Sequence, residues 1–74
     1  MKEVNSIDEL VAGGEKDLQV LADAGSSIAR EWLEKVQAES FAPMKLSLFG
    51  EMRIALMQDT RPEARVVARE MFPD

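Results

Sequence analysis

Cysteine, histidine and tyrosine are all absent from this 74-residue sequence. Without cysteine the chain has no disulfide and no thiolate nucleophile or ligand, and this absence is typical of a reducing compartment. Histidine is the most frequent general base, and a zinc site built from carboxylates alone would be unusual. We therefore expect a cytoplasmic protein that is not an enzyme and that holds no metal and no cofactor.

Long apolar runs and an excess of basic residues are also missing. No stretch approaches the ~18 apolar residues of a membrane span, and the first residues lack the apolar core of a signal peptide. The net charge is −5, and residues 1–25 carry six acids against two bases. Because binding to phosphate groups needs a basic surface, nucleic acid is an improbable partner, and a membrane is equally improbable.

The length predicts a single domain spanning residues 1–74. A single core in so small a domain rarely supplies more than about 3–5 kcal/mol, so such domains commonly rely on disulfides, metals or assembly. Since the first two are disfavoured here, assembly with another chain is the remaining means of stabilisation.

The hydrophobic periodicity is helical throughout, with no alternating stretch that would indicate a strand. Ser6 and Glu9 have the spacing of a capping box and predict a short helix from Ile7 to about Ala12, which the glycine pair at 13–14 should end or loosen. A long amphipathic helix is then predicted from Glu15 to about Glu39. Its apolar phase does not slip at Gly25, which favours a continuous helix over two helices broken there.

The segment from Met44 to Gln58 is apolar on nearly every side when drawn as a helix. A helix of that kind must be buried all round, which so short a chain can hardly achieve alone. Phe49, Met52 and Leu56 fall on one face, together with Leu48, Met44 and Ala55. On other sides of the helix lie Leu46, Ile54 and Met57.

A last helix is predicted to run to about Met71, with Thr60 and Glu63 at capping-box spacing and Pro62 in its first turn. Arg61, Arg65 and Arg69 form a row along one flank, and Val66 points away from the expected core face. The resulting fold is an all-α small helical bundle, in which the long amphipathic helix packs against the Met/Leu-rich helix and the short C-terminal helix.

The segment DAGSSI, from Asp23 to Ile28, resembles the serine motif Asp-Leu-Gly-x-Ser-Leu/Ile of acyl and peptidyl carrier proteins. In that family the serine begins a helix and carries a phosphopantetheine arm. The resemblance implies that Ser27 would be the modified residue. Ser26 stands where the family usually has aspartate, and only 26 residues precede Ser27.

Two functions remain open. The first is a small acidic protein-binding module, acting as an adaptor, inhibitor or subunit that docks on a larger protein, on a second copy of itself as a homodimer, or on both. Exposed apolar side chains and arginines mark interfaces, so its contact residues would be the following: Leu46, Ile54, Met57, Arg61, Arg65, Val66 and Arg69. The second is the carrier function at Ser27.

Overall fold

The computed structural model describes residues 6–73, which form four α-helices. They are α1 (Ile7–Asp23), α2 (Ser27–Ala38), α3 (Ala42–Gln58) and α4 (Pro62–Met71). Each helix contacts the other three, so the predicted all-α bundle is confirmed. The predicted long helix is not formed, because two helices in contact, α1 and α2, take its place.

The first helix runs without interruption through Gly13 and Gly14, so the predicted stop there is wrong. Its start is as expected, since the Ser6 hydroxyl accepts a hydrogen bond from the Glu9 backbone N–H (3.2 Å). Each glycine costs the helix about 1 kcal/mol. Packing offsets this cost: a side chain at Gly14 would meet the Phe49 ring of α3 at 2.6 Å, so the glycine lets that ring lie on the helix backbone.

The chain reverses direction at Gly25, so the predicted continuous helix is also wrong. Gly25 has a φ of +105°, which glycine adopts without a steric penalty. Its N–H donates to the Ala22 carbonyl, and the Ser26 N–H donates to the Leu21 carbonyl, which is the Schellman pattern of a helix end. The Ser26 hydroxyl then accepts from the Ala29 N–H (3.1 Å) and caps α2.

The apolar periodicity did not reveal this turn, and the reason is geometric. Ala22 and Ala29 are both buried, and their separation of seven positions equals about two helical turns. Both helices face the same core, so the apolar phase is the same whether the helix continues or folds back.

The third and fourth helices match their predicted positions closely, although the capping differs. Pro43 lies in the first turn of α3, and Pro62 lies in the first turn of α4. Arg61, rather than Thr60, is the N-cap residue of α4, and no side chain caps that end. Instead the Asp59 carboxylate accepts the Arg61 backbone N–H (2.9 Å) and shapes the turn before the helix.

The core draws residues from all four helices, and Leu18, Ile28, Val36, Met52 and Val67 are its largest fully buried members. Phe49 and Leu56 extend it along α3. One polar link lies at its edge, where the Lys45 ammonium of α3 meets the Glu15 carboxylate of α1 at 2.8 Å. Such partly exposed pairs contribute only about 0–1 kcal/mol, so apolar packing holds the helices together.

Alanine substitutions at three glycines should separate these roles. Gly13→Ala should stabilise the fold by a few tenths to about 1 kcal/mol, because its Cβ would meet nothing and helix propensity improves. Gly14→Ala should destabilise it, because overpacking against Phe49 costs about 1–3 kcal/mol. Gly25→Ala should cost about 1–2 kcal/mol, since its positive φ strains any residue with a Cβ.

Urea denaturation of the three variants measures these differences, with the wild type as reference. Equal stabilisation by Gly13→Ala and Gly14→Ala would contradict the close packing of Phe49. Stabilisation by Gly25→Ala would contradict the turn.

Candidate protein-binding surface

One face of α3 stays largely exposed within residues 6–73. Leu46, Ile54 and Met57 lie on it, with 36, 60 and 75% of their surface exposed. The opposite face carries Phe49 and Met52, which are buried in the core. The predicted outward placement of the three apolar residues is therefore confirmed. Met44, assigned to the core side from the sequence, is 49% exposed instead.

Gly50 lies in the middle of this face. It follows Leu46 by four residues and precedes Ile54 by four, so the three positions form one row along the helix. A Cβ at Gly50 would have no described atom within 4 Å. Unlike Gly14, it is therefore not required by any contact within the described chain.

A groove of about 390 Å³ begins at Leu46 and was not anticipated from the sequence. It lies between the N-terminal half of α1, the first half of α3 and the end of α4. Its apolar lining comes from side chains distant in sequence, which is why no local pattern could reveal it. The lining residues are Glu9, Leu10, Gly13, Gly14, Asp17, Leu46, Phe49, Met71 and Phe72.

Val66 of α4 is exposed, as expected, but it does not adjoin the groove that Leu46 lines. It lines a second depression, together with Leu21, Gly25 and Glu63, beside the turn between α1 and α2. Leu46 lines the groove at the end of α4. The predicted contact residues therefore fall into two regions.

The predicted arginine row is not uniform. Arg61 folds back on Asp59, and its guanidinium donates to both carboxylate oxygens at 2.6–3.1 Å. Arg65 and Arg69 are exposed, and neither forms an ion pair within residues 6–73. Only the latter two present their charge outward without a local carboxylate partner in the described structure.

The Asp59–Arg61 pair changes the titration of both groups. Hydrogen bonds from the Arg61 side chain, and then from its backbone N–H, lower the pKa of Asp59 from 3.8 to about 2. The pKa of Arg61 is raised, chiefly by the side-chain hydrogen bond to Asp59. Arg61 is thus a structural residue of the α3–α4 turn.

Ser27 is exposed and is the first residue of α2. Its hydroxyl donates a hydrogen bond to the Glu63 carboxylate of α4 (3.3 Å). The break at Gly25 places this serine at a helix start, which the continuous helix predicted from the sequence would not have done.

The carboxylate of Asp59 can be followed by NMR titration. We expect a midpoint near pH 2 in the wild type and a higher midpoint, still below 3.8, in Arg61→Gln. The hydrogen bonds from the guanidinium are lost, whereas the backbone N–H at position 61 still donates to the carboxylate. Since the folded-state pKa is lowered, this pair stabilises the fold above pH 3.8, and that contribution disappears as the pH falls toward 2.

Arg65→Gln is the matched control for this titration and should leave the Asp59 midpoint near 2. A midpoint that stays near 2 in Arg61→Gln would show that Arg61 is not the cause.

The described residues offer few other chemical features. Residues 6–73 contain no group of three or more acidic side chains placed to hold a metal ion. None of the four helices has the length and apolar character needed to cross a bilayer.

No protein-family model matches the sequence, and no curated protein and no solved structure is significantly similar to it.

Proposed function

We propose that this chain is a non-enzymatic protein-binding module that docks through the exposed face of α3. Leu46, Ile54 and Met57 are the contact residues, and the module acts as a homodimer that can serve as an adaptor, inhibitor or subunit. The observation that carries the proposal is the exposure of Ile54 and Met57 on a helix whose other side is core.

Energetics support this assignment. Burying an apolar side chain of this size completely is worth about 1.5–3 kcal/mol. Helices α1, α2 and α4 all pack on α3, yet they leave these three residues in water. Contiguous apolar surface of this kind marks interaction sites more often than scattered single residues do.

Arg65, Val66 and Arg69 form a second, more polar contact region on α4. Arginine is enriched at interfaces because its planar guanidinium can bind a carboxylate through two hydrogen bonds. We propose that this region meets an acidic patch on the larger partner. Arg61 is left out, because its guanidinium is already bonded to Asp59.

The mutation Ile54→Asp tests the proposed interface. It should dissociate the dimer and leave the fold intact, because Ile54 is 60% exposed and contributes little to the core. Sedimentation equilibrium should give about twice the 8.3 kDa chain mass for the wild type and the single mass for the variant. Circular dichroism checks that the variant stays helical.

Val20→Asp is the matched control, since Val20 is a 61% exposed apolar residue on α1. This variant should remain dimeric. A wild type that sediments as a monomer at high micromolar concentration would remove the homodimer and leave a foreign protein as the partner of the face.

A second candidate function is the carrier function at Ser27. Its specific support is that Ser27 is exposed at the start of α2, directly after the turn at Gly25. This is the position that the serine of acyl and peptidyl carrier proteins occupies at its helix.

Intact-mass measurement after co-expression with a phosphopantetheinyl transferase tests this second candidate. The binding-module proposal predicts an unmodified chain. A mass increase of one phosphopantetheine group that disappears in Ser27→Ala would establish the carrier function instead.

A further inference from the structure

We propose that the second copy packs antiparallel along α3, with Gly50 at the two-fold axis. In this arrangement Ile54 of each copy lies beside Leu46 of the other. The inference rests on the proposed function, and it specifies the partner surface and its geometry.

Gly50 is the first reason for this geometry. A glycine inside a helix costs about 1 kcal/mol relative to alanine, and no described contact requires one at this position. Gly14, by comparison, is needed for the packing of Phe49. A second helix backbone crossing closely at Gly50 would supply the missing reason, because the absence of a side chain permits that approach.

The symmetry of the row is the second reason. At a rise of 1.5 Å per residue, Leu46 and Ile54 lie about 6 Å on either side of Gly50 along the helix axis. An isologous interface requires that residue i of one copy meets residue j of the other, and that j meets i. When antiparallel helices cross at Gly50, residue 46 of each copy lies level with residue 54 of the other copy, so the pairing occurs twice.

The area that a dimer must bury decides how far the contact extends beyond α3. Leu46, Ile54 and Met57 together expose apolar surface on the order of 300 Å², whereas a specific interface buries about 800 Å² per partner. A contact between two α3 helices alone falls short. The groove that adjoins Leu46 supplies further surface, including Leu10, which is 54% exposed.

Charge also favours α3 as the point of self-contact. Two copies each carrying a net charge of −5 repel one another, and residues 1–25 hold most of that charge, with six acids against two bases. Residues 43–58 contain two bases and one acid. Arg53, next to Ile54, would approach the partner's groove, where Glu9 and Asp17 provide complementary negative charge.

The absence of cysteine allows a direct test by disulfide trapping. A disulfide requires Cα atoms within about 7 Å. Gly50→Cys should therefore form a disulfide-linked dimer in a glutathione redox buffer at micromolar protein concentration. Val20→Cys, on an exposed position of α1, is the control and should remain largely monomeric on a non-reducing gel.

Mixing two single-cysteine variants determines the direction of the helices. Leu46→Cys and Ile54→Cys, distinguished by a mass tag on one of them, should form the mixed disulfide at least tenfold faster than either forms its own. In the antiparallel arrangement, identical positions are separated by about 12 Å along the axis. Faster self-pairing of each variant would indicate parallel helices and overturn the inference.

Gly50→Leu provides an independent measurement in the chain without cysteine. A Cβ at Gly50 meets no described atom within 4 Å, so we expect the lone chain to keep its fold. The leucine should block close approach, and the dimer dissociation constant should rise at least tenfold. An unchanged constant would overturn the crossing at Gly50. If Gly50→Leu stays dimeric while Ile54→Asp is monomeric, the geometry fails and the proposed binding face stands.

Discussion

Burial of α3 is the constraint on which the rest of the structure depends. Its apolar residues surround the helix, and residues 6–73 provide three further helices with which to cover them. The contact between Phe49 and Gly14 shows how closely this cover is made, since even a methyl group at Gly14 would come within 2.6 Å of the ring. The hairpin of α1 and α2 and the short α4 can thus be understood as the elements that enclose one side of α3.

The remaining side of α3 connects stability with function. In a small domain with no disulfide, each apolar side chain left exposed contributes no burial free energy to the stability of the lone chain. In the proposed dimer, Ile54 and Met57 regain it by contact with the second copy. In the proposed function, protein binding is coupled to folding, and binding would raise the apparent stability of the bundle by mass action.

Glycine illustrates how one residue type can serve different purposes. Gly25 provides a backbone conformation, Gly14 provides space for a ring, and neither Gly13 nor Gly50 is needed by a described contact. These roles cannot be distinguished from the sequence, because each depends on what lies across from the glycine in space. The same limitation explains why the glycine pair was wrongly expected to end the first helix.

The sequence by itself determined that this protein is all-helical, where the last two helices lie and which face of α3 is apolar in excess, because these follow from local propensity and a 3.6-residue period. It also placed Leu46, Ile54 and Met57 away from the core. Only the tertiary structure decided that the chain turns back at Gly25, that Arg61 is bonded to Asp59 and that a groove adjoins Leu46. The turn was hidden because a reversal between helices that share one core leaves the apolar phase unchanged, and the groove was hidden because its walls are distant in sequence.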